Sequence, residues 1–120
     1  KKASEYYNIS SDIIFEIDWQ GAKSIKAIFP EAISIFILPP SLKKLEERLT
    51  ARGQDSEDTI KARLSVAKSE MSHVNQFDYV TINDKFDDAL EELRSIIMAK
   101  KLNTKHQTNN YQKLIDQLTK

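Results

Sequence analysis

The sequence predicts an α/β fold with a parallel sheet. Three short apolar runs, at residues 13–18, 34–38 and 79–83, alternate with helical patterns along the 120 residues. This order is expected of strand–helix–strand units, whose crossovers return the chain to the same end of the sheet and keep the strands parallel. Three strands make a small sheet, so we expect residues that precede Lys1 to complete it.

The beginning of the chain carries the most informative pattern. Residues 1–9 are predicted to be the end of a helix, and residues 13–22 a buried strand that ends in two carboxylates and continues into a helix. Alternation along a strand places Glu16 and Asp18 on the same side. Ligands of open α/β sheets bind at the carboxyl ends of the strands. A helix N-terminus or a lysine could satisfy one such carboxylate, but two on one side favour a ligand site.

The next elements follow from periodicity and from helix-ending residues. Apolar residues at helical spacing predict a helix over 20–29, which Pro30 ends. The continuous apolar run at 34–38 is typical of a strand buried on both faces. Ser41 is a suitable N-cap for a helix that continues to about Arg52.

The second half of the chain is predicted to be mostly helical. A helix is expected over about 57–73, and another follows the strand at 79–83. Residues 103–110 are polar and are predicted to be weakly structured. A last short amphipathic helix is indicated by four apolar residues at helical spacing: Tyr111, Leu114, Ile115 and Leu118.

Composition argues against several functional classes. The 18 basic and 18 acidic residues balance, which argues against a nucleic-acid binder that depends on bulk charge. Cysteine is absent, and His73 and His106 lie far apart in sequence, so we expect no metal-ligating residues here. No apolar stretch approaches the length of a membrane span, and no signal peptide is visible. We therefore expect a cytoplasmic protein with no membrane partner; its oligomeric state is not predicted.

Arginine is rare and clustered. The chain has 14 lysines and four arginines, and three of the arginines are Arg48, Arg52 and Arg63. Arginine grips phosphate better than lysine because its planar fork donates two parallel hydrogen bonds. Arg48 and Arg52 share a helix face, where like charges cost roughly 0.2–0.5 kcal/mol unless an anion lies nearby. The charges alone leave two interpretations open: a mobile lid that contacts phosphates, and a solvated surface with local ion pairs.

Glycine is scarce as well. It occurs only at Gly21 and Gly53, and the sequence contains neither a P-loop nor a dinucleotide-binding glycine motif. A phosphate-binding loop would therefore have to come from outside these residues.

Four blocks, in this order and at this spacing, resemble guanylate kinase. They are FEIDWQGA at 15–22, SIFILPPS at 34–41, RLTARGQDS at 48–56 and ND at 83–84. The resemblance implies the C-terminal portion of a parallel-sheet P-loop nucleoside monophosphate kinase fold, including a lid at about 48–63. The family transfers the γ-phosphoryl group of ATP to GMP, which gives ADP and GDP. Its P-loop would lie N-terminal to Lys1, so the main ligands of the Mg²⁺ that accompanies ATP are expected outside this chain, and the chain alone is expected to be inactive.

The resemblance also implies roles for the two carboxylates. Asp18 matches the carboxylate that accepts hydrogen bonds from the edge of guanine. Glu16 matches an acid two residues earlier that is more usually Asp, and it could brace a phosphate-binding arginine from outside this chain. Both are expected on the GMP side of the site.

On the ATP side the resemblance implies four residues. Arg52 and Arg63 match catalytic lid arginines that reach the transferring phosphates, and Arg48 lies beside them. Asn83 matches a position near adenine. Mobile arginines that close over the phosphates would neutralise charge and exclude water.

Two other functions remain possible from the sequence. One is a guanylate-kinase-like module that has lost catalysis and binds protein partners; the other is an α/β domain whose charges are structural. The lid arginines and Asp18 favour the enzyme, since a binding module has no need of them. Trp19 is predicted to pack between strand and helix, and His73 to lie at the surface or at an interface.

Overall fold

A computed structural model describes residues 5–9, 12–51 and 56–120. The chain divides into two compact units, Lys1–Ile82 and Asn83–Lys120. In chain order the elements are β1 (Glu5–Ile9), β2 (Asp12–Glu16), α1 (Trp19–Ile28), β3 (Ile35–Leu38), α2 (Leu42–Ala51), α3 (Glu57–Met71), a 3₁₀ helix (Val74–Gln76), β4 (Tyr79–Ile82), α4 (Phe86–Lys101), α5 (Thr104–Asn110) and α6 (Gln112–Thr119).

The parallel pairing of the second and third predicted strands is confirmed. β3 and β4 pair in parallel, from Ile35 opposite Tyr79 to Leu38 opposite Ile82. The backbone N–H groups of Asp78 and Tyr79 both donate to the carbonyl oxygen of Ser34, at 3.1 and 3.0 Å, which fixes where the pairing begins. Two helices, α2 and α3, connect these strands and pack against each other.

The first predicted strand does not join this sheet. β2 pairs instead with β1 in an antiparallel ladder, from Glu5 opposite Glu16 to Ile9 opposite Asp12. The predicted helix end at residues 1–9 is therefore wrong over Glu5–Ile9. Tyrosine and isoleucine, which favour strands, make up three of these five residues, and pairing with β2 satisfies their backbone groups.

The strands are also less buried than their sequences predict. Ile13 and Phe15 in β2 are 55% and 41% exposed, and Ile37 in β3 is 48% exposed. Among the described side chains only Thr81 and Ala89 are buried. This exposure is expected because each sheet has only two strands in the described part of the chain, so few neighbouring side chains are available to cover both of its faces.

Serine caps begin the two helices that connect β3 to β4. Ser41 Oγ accepts from Lys44 N–H at 3.0 Å, which confirms the predicted N-cap of α2. Ser56 Oγ accepts from Thr59 N–H at 3.2 Å at the start of α3. The expected end of α2 at Arg52 lies outside the described residues.

The second unit is helical. Acidic residues in the first turn of α4 and Lys100 and Lys101 in its last turn complement the helix dipole. The prediction of weak structure at 103–110 is wrong, since α5 occupies most of this segment. Asn103 Oδ1 accepts from His106 N–H at 2.8 Å and caps α5. The predicted last amphipathic helix is confirmed as α6.

Candidate active site

Asp18 lies between β2 and α1 and is the N-cap of α1. Its Oδ1 accepts from Gly21 N–H at 2.8 Å, and its carbonyl oxygen accepts from Ala22 N–H at 2.9 Å. Its backbone is extended, with φ −80° and ψ 179°, and its side chain is exposed. A helix N-terminus therefore engages one carboxylate oxygen, which is one of the two outcomes that the sequence left open.

Gly21 allows the start of α1 to approach the end of β2 closely. A Cβ atom at this position would lie 3.1 Å from Ile17 Cβ and 3.3 Å from Asp18 Oδ1. These distances are tighter than ordinary carbon and oxygen contacts, so a side chain here would displace one neighbour. Glycine at this position therefore keeps the Asp18 carboxylate in place.

Glu70, in the last turn of α3, and His73, two residues beyond its end, contact the residue that follows Asp18. Glu70 Oε1 accepts from the backbone N–H of Trp19 at 3.1 Å. The imidazole of His73 stacks on the indole of Trp19, with ring centroids 3.6 Å apart and planes inclined by 12°. The Trp19 ring thus stacks on His73, and its backbone N–H is bound by Glu70 of α3. The sequence predicts packing of Trp19 between strand and helix, and it does not predict the contact with Glu70.

Glu16 is the last residue of β2 and is exposed. The strand ends there, and Ile17 separates Glu16 from the N-cap at Asp18. The expectation that both carboxylates point to the same side relied on continuous strand alternation to residue 18. It stays a prediction, because Asp18 already belongs to the helix start.

The candidate lid arginines lie on packed helices. Arg48 is in the last turn of α2 and Arg63 is in α3, and both side chains are exposed. Because α2 and α3 pack together, these two arginines belong to one helical pair. Arg52, the third candidate, lies outside the described residues.

Asn83 directly follows β4 and is half-buried. It is the first residue of the second unit.

A cavity of about 300 Å³ lies beside α1. It is lined by Trp19, Ala22, Lys23, Lys26, Ala27, Ser34, Gln76 and Phe77. None of the residues that the sequence predicts for nucleotide binding lines it, and Lys26 and Ser34 are already hydrogen-bonded to Asp78. We therefore do not assign the nucleotide site to this cavity.

Within residues 5–9, 12–51 and 56–120, no three His, Cys, Asp or Glu side chains are grouped so that they could hold a metal ion. No helix in this described part is both long and apolar enough to cross a bilayer.

Comparison with known proteins decides the family. The family profile described as Guanylate kinase matches residues 3–100. This chain belongs to the guanylate kinase family. The match confirms the resemblance seen in the sequence, and it ends before α5 and α6.

Curated guanylate kinases are similar over most of the chain. A guanylate kinase from Methylobacillus flagellatus is 52% identical over 107 residues, which cover 89% of this chain and 53% of the relative. One from Hydrogenovibrio crunogenus is 52% identical over 108 residues, covering 90% of this chain and 53% of the relative. The chain spans about half the length of the curated relatives it matches.

A solved structure supports the same family. The crystal structure of guanylate kinase from Anaplasma phagocytophilum superposes with a TM-score of 0.62 at 26% identity, covering 85% of this chain and 57% of that one. The predicted parallel-sheet nucleoside monophosphate kinase fold is thereby confirmed for the portion that this guanylate kinase family member covers.

Proposed function

We propose that this chain supplies the guanine-recognition and lid portion of a guanylate kinase, which transfers the γ-phosphoryl group of ATP to GMP and releases ADP and GDP. The observation that carries the proposal is the Asp18 carboxylate, held at the start of α1 by Gly21 in a chain whose residues 3–100 match the guanylate kinase family.

Hydrogen-bond chemistry supports guanine as the base. Guanine presents N1–H and an exocyclic amine side by side, and both are donors. An ionised carboxylate has two oxygens and about four acceptor sites, so Asp18 Oδ1 can cap α1 while the group still accepts from the base. The cap fixes the carboxylate before the base arrives, which lowers the cost of ordering it on binding.

Arginines on the α2–α3 pair suit the phosphates. Phosphoryl transfer depends on positioning and on neutralising charge spread over the phosphate oxygens. We propose that Arg52 and Arg63 contact the transferring phosphates, with Arg48 beside them and Asn83 on the adenine side of ATP. Exposed arginines on two packed helices can move together as a lid.

Glu16 receives a different role. Glu16 is the last residue of β2, two positions before Asp18, and it is exposed. We propose that its carboxylate braces a phosphate-binding arginine outside this chain. We also propose that ATP enters with Mg²⁺, whose main ligands lie outside this chain. A cytoplasmic location stays a prediction.

The alternative from the sequence is a non-catalytic module that binds protein partners. Arg48 and Arg63 are exposed on helices, where they are available to bind phosphate. A module that only binds protein partners does not require phosphate-binding arginines. We therefore favour the enzyme.

The test measures ADP release by the complete gene product with ATP and either GMP or AMP. We expect turnover with GMP far above that with AMP. Asp18→Asn should lower kcat/KM for GMP severely and narrow the GMP/AMP ratio, because a site that hydrogen-bonds its substrate can discriminate by roughly 10⁴–10⁵. The apparent KM for ATP should change little, and Glu16→Gln should alter base preference less than Asp18→Asn.

The matched control is Asp116→Asn, which makes the same chemical change in α6, beyond the family match. Asp116→Asn should leave kcat/KM for GMP and for AMP unchanged. An Asp18→Asn enzyme with unchanged GMP preference would remove Asp18 from the guanine site, and a complete protein without GMP-dependent turnover would favour the non-catalytic module.

A further inference from the structure

Two carboxylates from distant parts of the chain hold the first turn of α1. Asp18 Oδ1 accepts from Gly21 N–H, and Glu70 Oε1 accepts from Trp19 N–H at 3.1 Å although 51 residues separate the pair. The first N–H groups of a helix have no partner within the helix, and its positive end attracts negative side chains. Glu70 therefore fixes the peptide that directly follows Asp18.

An aromatic stack reinforces this contact. The His73 ring lies nearly parallel to the Trp19 indole, with centroids 3.6 Å apart. Gln76 Nε2 lies 3.2 Å from His73 Nδ1, and because an amide nitrogen only donates, Nδ1 is the acceptor. Trp19, Glu70 and His73 are each half-buried, so the stack is partly shielded from water.

The same helix carries a candidate lid arginine. Arg63 and Glu70 both lie on α3, roughly 10 Å apart along its axis at about 1.5 Å per residue. A helix of this length moves as a unit, so a displacement at one end reaches the other. α3 therefore joins the residue next to Asp18 to the phosphate side of the proposed site.

Resting on the proposed function, we propose that Glu70 and His73 are positioning residues for guanine recognition. Through Trp19 they set the orientation of Asp18 and link it to the lid helix α3. Neither residue needs to touch GMP, since each acts on the peptide or ring that adjoins Asp18. GMP that engages Asp18 is then sensed by α3 through the Trp19 contacts.

Histidine variants of the complete enzyme test the stack. His73→Ala should raise KM for GMP about three- to tenfold, the effect of losing one aromatic pair, with kcat and KM for ATP within about twofold of wild type. His73→Phe keeps a stacking ring and should restore KM for GMP. The matched control is His106→Ala on α5. An unchanged KM for GMP in His73→Ala, or equal impairment in His73→Phe, would overturn the proposal.

Glutamate variants test the hydrogen bond independently, including the case where His73→Ala does not fold. Glu70→Ala removes the acceptor for Trp19 N–H and should raise KM for GMP and narrow the GMP/AMP ratio. Glu70→Gln keeps an acceptor oxygen and should stay near wild type. Glu91→Ala, an exposed position in α4, is the matched control. A loss of kcat for GMP and AMP alike, without a change in their ratio, would indicate a merely structural role.

Trp19 fluorescence gives a readout on the wild-type protein. Trp19 is the only tryptophan of these 120 residues, and its contribution is isolated by subtracting the spectrum of Trp19→Phe. GMP, but not ATP alone, should change its emission, and His73→Ala should abolish this response. Absence of a GMP response in an active enzyme overturns this inference alone, whereas absence of GMP-dependent turnover in the wild type overturns the proposed function and this inference with it.

Discussion

Lys26 Nζ lies 2.5 Å from Asp78 Oδ2, and this ion pair joins the last turn of α1 to the residue before β4. The same carboxylate oxygen accepts from Ser34 N–H at 2.9 Å and from Ser34 Oγ at 3.2 Å. Lys26 also donates to the carbonyl oxygen of Ala32. One charged cluster therefore links the last turn of α1 with the starts of β3 and β4.

Acid should weaken this cluster. Burial acts to raise the pKa of Asp78, but hydrogen bonds from Lys26 and Ser34 and the charge of Lys26 outweigh it, so the pKa lies below its ordinary value of 3.8. A carboxylate with a depressed folded-state pKa stabilises the fold above its unfolded pKa, and this contribution is lost as pH falls through the folded pKa. Below about pH 4 the free energy of unfolding should therefore fall more steeply in wild type than in Asp78→Asn.

Denaturant unfolding between about pH 7 and pH 2.5 measures this difference. Asp116→Asn, at an exposed position in α6, is the control and should follow the wild-type curve. Lys26→Met should lower stability at pH 7 by at most ~1 kcal/mol, because both side chains of the pair are more than a third exposed. Parallel acid curves for wild type and Asp78→Asn would contradict the expectation.

Gly21→Ala should impair GMP use more than it impairs folding. Alanine favours a helix over glycine by roughly 0.8–1 kcal/mol, which offsets strain from a Cβ placed 3.1 Å from Ile17 Cβ. The displaced Asp18 carboxylate would lose its alignment with guanine, and misplacement of this kind can reduce rates by about tenfold or more. We expect kcat/KM for GMP to fall by that factor in the complete enzyme, with unfolding free energy within about 1 kcal/mol of wild type.

The control for this substitution is Ser24→Ala, an exposed position on the same helix. Ser24→Ala should leave kcat/KM for GMP and the free energy of unfolding unchanged. Retention of wild-type kcat/KM for GMP in Gly21→Ala would show that the close approach does not position Asp18.

Local signals predicted part of the fold correctly. The β3–β4 pair follows from short apolar runs, and the start of α2 follows from the serine N-cap at Ser41, because these features depend on neighbouring residues. The partner of β2 was not predictable, since pairing is a non-local choice and alternation alone does not say which strand lies alongside. α5 was missed because its polar sequence hides a helix that Asn103 nevertheless caps.

The candidate site divides in the same way. Asp18 was predicted as a site residue because a carboxylate that follows an apolar strand is unusual in itself, and its role in GMP binding stays a prediction. Glu70 and His73 were missed, because a hydrogen bond across 51 residues and a ring stack leave no spacing pattern that a single sequence can reveal. The His–Gln spacing at 73 and 76 is the nearest available signal, and it is too common to be specific.

The 120-residue chain by itself should show no GMP kinase activity. It contains no P-loop motif, so the phosphates of ATP would lack the backbone cradle and the lysine that this class of enzyme uses. The measurement is GMP-dependent ADP release by the purified chain, with the complete gene product as the positive control. Turnover above background by the chain would show that these residues supply a phosphate site of their own.

Removing the lid arginines should lower turnover far more than stability. A phosphate-contacting arginine can contribute about 10³–10⁵ in rate, whereas an exposed ion pair contributes at most ~1 kcal/mol to folding. We therefore expect Arg52→Ala and Arg63→Ala in the complete enzyme to reduce kcat strongly while the free energy of unfolding stays within ~1 kcal/mol of wild type. Arg48→Ala should have a smaller effect, since we propose that Arg48 lies beside Arg52 and Arg63 without contacting the transferring phosphates itself.

The fourth arginine provides the matched control for this series. Arg94 is exposed on α4, outside the candidate lid, so Arg94→Ala removes the same chemical group at a position to which the resemblance assigns no phosphate contact. Steady-state kcat with saturating ATP and GMP, measured beside denaturant unfolding, separates catalysis from folding. If Arg52→Ala and Arg63→Ala keep kcat close to that of Arg94→Ala, the arginines at 48–63 form only a solvated surface, and the lid proposal fails.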